Sequence, residues 1–350
     1  MGRPVNARAR HRLGVISNLT SGFIADWQGL SPPVAVLRAL RASRILGMRD
    51  VRHQLRQNLA YQRHVASVAR DDTVFFLSHR HYLAKGLSPI ERARTALHHY
   101  EHEVHAFDRA YFDAVYMGAG LVVWRREVEG GVFDIRLLPG NDVLYEGGVS
   151  IVAFFNDARI AVLSYANVSP DVFLPGHEIA AGDAPFGSNL LFVTRKQLTL
   201  DHALYQKAFN KAFDRSTLAH FCFAALTGVA LAQGSARVVA ITPDVHPSCT
   251  PDIEARFHAA YTEFWESLGG RKAPPYGYLI DLPMRMTPLE DLDAKARKRA
   301  MARRRHVHAV QESAFDTIAA HLTTARSRSD DPGGASASKA EDASTEPRPE

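Results

Sequence analysis

Cysteine is almost missing from this chain: 350 residues carry only Cys222 and Cys249. That excludes a disulfide-stapled scaffold and any zinc site made of thiolates alone. Lysine is scarce as well, supplying eight of 42 basic side chains. Base composition of a genome produces such an arginine excess without any function. No long run of purely apolar residues occurs. The least charged stretch, Ser216–Ala236, has 21 residues without an acid, Lys or Arg. Its length would cross a bilayer, but Ser216, Thr217, His220, Thr227, Gln233 and Ser235 make it too polar for a lone helix facing lipid. Arg215 and Arg237 flank it evenly and give no topological bias. The reading is therefore a buried helix over Thr217–Gln233, with no integral membrane segment. The basic opening MGRPVNARARHRLG is not followed by an apolar core region, so no signal peptide is expected. No His-Glu-x-x-His, zinc-finger, RNP or helix-turn-helix signature is found, and no internal repeat.

What remains is a globular composition: 46% hydrophobic and 23% charged residues. The formal charge of +5 is unevenly spread. Residues 1–70 hold twelve arginines against Asp26 and Asp50, whereas residues 71–294 hold 19 basic and 27 acidic side chains. Basic material thus flanks a mildly acidic body. It can meet nucleic-acid phosphate, anionic lipid or the protein's own acidic surface.

Residues 30–68 show helical spacing, and Ser31-Pro32-Pro33 supplies a start signal. Ser88-Pro89-Ile90-Glu91 is a stronger one, with a serine cap, proline at N1 and glutamate at N3. That helix should reach about Asp108. Periodicity then drops towards two. Strands are predicted over Gly120–Glu127, Val132–Leu138, Ser150–Phe155 and Arg159–Val168, with Asn156-Asp157 as a hairpin turn. Further strands are read at Asn189–Thr194, Val238–Thr242 and Tyr278–Leu282. Helices are read at Leu198–Phe213, Thr217–Gln233 and Ile253–Leu268, the last stopped by Gly269-Gly270. After Pro288 comes a basic helix, with Leu289, Leu292, Ala296 and Met301 as a thin apolar stripe among Lys295, Arg297, Lys298, Arg299, Arg303, Arg304 and Arg305. From about Thr323 the composition is that of a disordered tail. The fold class expected is α/β of the α+β kind: one domain, a mostly antiparallel sheet flanked by helices. Its bounds are 30–312, between a basic extension over 1–29 and a mostly disordered tail over 313–350.

Several side-chain groups carry candidate chemistry. His98, His102 and His105 share a helix face at i, i+4 and i+7, a spacing open either to a metal or to a polar face with one core histidine. Ser78-His79-Arg80-His81 offers an anion contact or a base. Asp244, His246 and Cys249 have the residue types of a nucleophilic set, although such proximity in one loop arises readily by chance. Cys222 lies inside an apolar helix and reads as packing.

The stretch Tyr261-Thr-Glu-Phe-Trp265-Glu-Ser-Leu-Gly269-Gly270 resembles the VirK/YbjX family, the DUF535 domain. So do Leu282-Pro283, Lys295 and Arg303-Arg304-Arg305, and earlier His81-Tyr82-Leu83, Arg92, His99-Tyr100 and Tyr145-Glu146-Gly147. The resemblance covers residues 30–312; Gly148-Val149 stands where many members have Glu-Leu. It implies an accessory protein of the Gram-negative envelope, linked to virulence and tolerance of antimicrobial peptides. Such a protein is expected to be cytoplasmic or peripheral at the inner membrane, with anionic lipid or an envelope protein as partner and RNA as the lesser alternative. The helix–strand–helix–strand order is also similar to the GNAT acyltransferase superfamily, which implies acetyl-CoA or another acyl-CoA as donor. The Gln/Arg-x-x-Gly-x-Gly/Ala loop of that superfamily is missing between Arg195 and Thr217. The two resemblances point to Tyr261, Glu146 and His99 as catalytic candidates, with Tyr261 as general acid. Arg195 and Lys196 are the candidates for holding the cofactor. Arg92, His81, Arg303, Arg304 and Arg305 are candidate contacts for an anionic substrate, and Arg92 is also a partner for Glu146.

Overall fold

The computed structural model describes residues 48–58 and 81–323, apart from 141–145, 177–188, 200–201, 285 and 287, together with positions 33, 36, 37, 40 and 61. The expected extension over 1–29, the Ser78-His79-Arg80 group, Tyr145 and the tail after Thr323 lie outside the described residues. Of the helix expected over 30–68, the continuous described part is α1, Arg49–Gln57.

Helix α2, Pro89–Ala106, begins as its sequence dictates. Ser88 Oγ accepts from the Glu91 N–H at 3.3 Å, and the Glu91 carboxylate accepts from the Ser88 N–H at 2.7 Å. Two N–H groups that the first turn would orphan are thereby satisfied. A short helix α3, Arg109–Phe112, runs into a π-turn at Asp113–Met117. The antiparallel strands follow: β1 Leu121–Val128, β2 Gly131–Pro139, β3 Val149–Phe155 and β4 Ala158–Val168. Asn156 and Asp157 join β3 to β4 with φ of 47° and 63°, the left-handed pair that a tight hairpin needs.

After the short α4, Pro170–Phe173, comes β5, Leu190–Leu198, antiparallel to β4. Helices α5, His202–Ala212, and α6, Leu218–Ala232, cross over to β6, Arg237–Ile241. The expected helix Ile253–Leu268 is interrupted: α7 at Glu254–Phe257, a π-turn at His258–Thr262, then α8 at Glu263–Ser267. Strands β7, Arg271–Ala273, and β8, Gly277–Asp281, end the sheet. The strand order is β1-β2-β3-β4-β5-β6-β8-β7, and β5–β6 is its parallel pair. The architecture is an α+β domain with a mixed, mostly antiparallel sheet flanked by helices. β7 escaped the sequence reading, because Arg-Lys-Ala on a three-residue edge strand has no apolar alternation to read.

Helix α6 is buried around nearly its whole circumference, which explains its lack of charge. Among the described residues no helix is long and apolar enough to cross a membrane. The long helix α9, Ala294–Ala319, lies against α6 and β1. It continues past the expected boundary at residue 312, with Ala314, Ile318 and Leu322 in the core. Its apolar stripe also differs from the expected one. Met301 is exposed, and the docking face is Val307, Val310, Ala314 and Ile318, at i, i+3, i+7 and i+11.

Candidate functional site

Strands β5 and β6 pair only at Leu191, Phe192 and Val193 with Val238, Val239 and Ala240. β5 stays bonded to β4 as far as Leu198, while β6 ends at Ile241 and the chain turns away at Pro243. The carboxyl ends of the two parallel strands therefore separate, a place where open sheets take ligands. Tyr261 fills part of the gap. Its hydroxyl accepts the Lys196 N–H at 3.1 Å. The π-turn presents this tyrosine, whose ring stacks on Phe257 at 5.3 Å and meets His246 edge-on at 5.0 Å. Burial raises the Tyr261 hydroxyl above the ordinary phenol range. Lys196 N–H already donates to its oxygen, so the phenolic proton is available to another group.

Glu146 reaches the same place from the β2–β3 connection. Three glycines hold that connection in contacts that no side chain would fit. A Cβ on Gly140 would overlap the Gly147 carbonyl. One on Gly147, at φ 140°, would lie 2.8 Å from Tyr165 O, and one on Gly148 would overlap the His99 ring. The Glu146 side chain is buried and accepts from Ser248 Oγ; Arg195 Nε lies 3.5 Å from its other oxygen. Burial raises its pKa, opposed by Ser248 and Arg195. Thr194 Oγ1 donates to the Glu146 carbonyl and ties the segment to β5. His246 is buried with Nδ1 accepting the Ser248 N–H at 3.1 Å, which fixes the Nε2–H tautomer. Burial lowers its pKa to about 4, so the ring is neutral at pH 7. Lys85 pins the loop from the other side, its ammonium donating to the Cys249 carbonyl at 2.6 Å.

The sequence candidates separate on this geometry. Glu146, Arg195 and Tyr261 come together. His99 supports them: fully buried, it accepts the Asn167 N–H at 3.3 Å and seats its ring on Gly148. The position expected for Arg92 beside Glu146 is taken by Arg195, while Arg92 is buried on α2. His81 lies just ahead of the Tyr82–Lys85 segment, whose Lys85 N–H donates to Val245 at 2.7 Å. Arg195 and Lys196 do not extend freely towards a cofactor. Arg195 binds Gln197 at 3.0 Å as well as Glu146, and Lys196 donates to Ala260 O at 2.7 Å and lies 4.5 Å above the Phe264 ring.

The helical histidines are held by other side chains and carbonyls, and His98 and His102 share Asn189, which lies 3.3 Å from His102. His98 bonds Asn189 at 3.2 Å, His102 bonds Gln233 at 2.8 Å and His105 bonds the Glu101 carbonyl at 2.6 Å. The set Asp244, His246 and Cys249 does not form a relay either. Asp244 is exposed beside His258 at 3.5 Å, and burial raises the Cys249 thiol, which keeps it protonated. Cys222 is packing, its thiol pushed up to about 12 by burial. Ser248 was not foreseen; nothing local marks it, since its partner lies 102 residues away. Arg303 and Arg304 line a cavity at the start of α6, and Arg305 faces solvent. Comparison with protein-family models, with curated protein sequences and with solved structures returns no match.

Proposed function

We propose that the protein transfers an acyl group from an acyl-CoA thioester held where β5 and β6 separate. The observation that carries this reading is the Tyr261 hydroxyl, bonded to the Lys196 N–H where the two parallel strands part, next to the Glu146 carboxyl. The acceptor's attacking N–H or O–H gives its proton to Glu146, a base whose affinity for a proton is raised by burial. The thioester carbonyl becomes tetrahedral and then collapses, breaking the carbon–sulfur bond. Tyr261 gives its proton to the departing sulfur. Titration calorimetry with acetyl-CoA and with CoA is the direct test. Binding that survives Tyr261→Phe, with thiol release lowered about 100-fold, supports the reading. Absence of binding at millimolar acetyl-CoA removes it.

A second reading rests on the amino-terminal half of α9, where Lys295, Arg297, Lys298, Arg299, Arg303 and Arg305 are exposed together with Met301. This pattern supports a peripheral, salt-sensitive contact with anionic lipid. The VirK/YbjX resemblance supports siting that contact at the bacterial envelope. Co-sedimentation with anionic vesicles tests it; binding to RNA instead, with a steep salt slope, overturns it.

A further inference from the structure

A cavity of about 400 Å³ opens at the first turn of α6. Arg215, His220, Arg303 and Arg304 contribute to its wall, and no carboxylate does. The nearest acid in sequence, Asp214, is occupied by His306 at 3.2 Å. Arg303 has no carboxylate partner among the described residues. His220 is held neutral, its pKa lowered by burial and then by Lys196 and Arg303. The guanidinium groups of Arg215 and Arg303, with no carboxylate partner among the described residues, favour an anion there.

Two further features give the cavity direction. Thr217 caps α6, its Oγ1 accepting the His220 N–H at 3.3 Å. The N–H groups of Leu218 and Ala219 remain at the positive end of a 15-residue helix. Ser216, also in the wall, is only 5% exposed, and its Oγ has no hydrogen-bond partner among the described residues. A buried hydroxyl left unpaired is destabilising, and a bound acceptor oxygen would satisfy it. Leu268, Met284 and Met286 add apolar surface to the cavity lining. A chain of contacts links its His220 to Lys196, whose N–H bonds Tyr261. The His220 ring lies 5.2 Å from Phe264, and Lys196 caps that same phenyl ring.

We propose that this cavity binds a phosphate or diphosphate group, free or carried on a larger ligand, with Ser216 Oγ and the α6 N–H groups as donors and Arg215 and Arg303 as counter-charge. α9 thus supplies a cation where the acyltransferase-type glycine loop is missing. The phosphate belongs to the acyl donor, to a phospholipid head or to free diphosphate. Only the first source rests on the acyl-transfer reading.

The test is calorimetry on the full chain at low salt with inorganic pyrophosphate, acetyl-CoA and dihexanoyl phosphatidic acid. Wild type is expected to bind pyrophosphate, with affinity falling about tenfold in Arg303→Gln and about threefold to tenfold in Ser216→Ala. Arg305→Gln, on the same helix but outside the cavity, is expected to bind as wild type does. Competition by acetyl-CoA assigns the acyl donor; competition by phosphatidic acid alone assigns the lipid; competition by neither assigns free diphosphate. If none of the three probes binds, or if Arg303→Gln and Arg305→Gln lose affinity equally, the site is refuted. Pyrophosphate binding without acetyl-CoA binding keeps the cavity site and removes acyl transfer. Undiminished acetyl-CoA binding in Arg303→Gln, with no pyrophosphate binding, does the reverse.

Discussion

Replacing Gly228 by alanine should destabilise this protein, although helix propensity alone predicts the opposite. Gly228 lies within α6, where alanine is favoured over glycine by about 1 kcal/mol. Its backbone faces α9. An added Cβ would lie 2.8 Å from Phe315 N and 2.9 Å from the Ala314 Cβ, and would overlap the Gln311 carbonyl. These are backbone and Cβ atoms, which have no rotamer to escape into. Restoring ordinary contact requires α9 to back away by about 0.5–1 Å, a gap that forfeits a quarter to a half of each dispersion contact it opens. Overpacking of this kind costs roughly 1–3 kcal/mol. The overlap with the Gln311 carbonyl puts Gly228 in the upper part of that range, about 2–3 kcal/mol, so after the propensity gain the expected net is a loss of about 1–2 kcal/mol, or a Tm lower by roughly 2–8 °C. Urea unfolding followed by circular dichroism measures it. An unchanged or raised midpoint for Gly228→Ala would show that α9 does not press on α6 as described, and the placement of Arg303 beside α6 would fall with it.

Gly148→Ala should act more locally, because its Cβ meets the buried His99 ring; a loss of about 1–3 kcal/mol is expected, partly relieved by adding His99→Ala, and a thermal-shift double-mutant cycle would expose an additive pair as a failure of the contact. Glu103 is fully buried, with Tyr111, Tyr116 and Asn167 as donors, and burial pushes its pKa up to about 7. Its folded pKa exceeds the unfolded one, so its contribution to stability is present near pH 4.5 and lost as pH rises to about 7; Glu103→Gln should therefore gain about 1–3 kcal/mol over wild type at pH 8 and less at pH 5, in urea titrations at both. His102 and His246, both lowered to about 4, act in the opposite sense, so the stability of the wild type should fall as pH drops from about 6.5 to 4 and a flat acid limb would refute their burial. Ending the chain at residue 312 should cost more than 4 kcal/mol by urea unfolding, since it removes Ala314, Ile318 and Leu322 from the core, along with the Ser313 bond to Val123 O at 2.7 Å.

The sequence revealed what is local. The Ser88–Glu91 capping box, the Asn156-Asp157 turn and the uncharged α6 each carry their cause within a few residues. The site is less legible because its contacts join distant segments. Ser248 meets Glu146 across 102 residues, and Tyr261 meets Lys196 across 65. The π-turn that presents Tyr261 leaves no trace in a periodicity read at 3.6 residues per turn. Arg195 and Lys196 were legible as charges at a strand end but not as groups already bound by Gln197 and Ala260. The glycines at 147 and 148 were visible. What they make room for, the Tyr165 backbone and the His99 ring, was not.

The charge of α9 and its docking are separate features of one helix. Arginines offsetting an acidic body would be paired with its carboxylates. Arg303 and Arg305 have no such partners among the described residues, and His306 forms an ion pair with Asp214 near them. What holds the helix is its second half, where Val307, Val310, Ala314 and Ile318 are buried and Gly228 lets the backbones approach. Apolar burial is not screened by salt, whereas attraction between exposed guanidinium groups and an anion is, with a Debye length near 10 Å at 0.1 M. Raising salt from about 0.05 to 0.5 M should therefore leave the melting temperature within roughly 2 °C while weakening pyrophosphate binding at least tenfold. A melting temperature that falls together with the affinity would mean that charge docks the helix. The arginines would then be spent within the protein rather than left for a ligand.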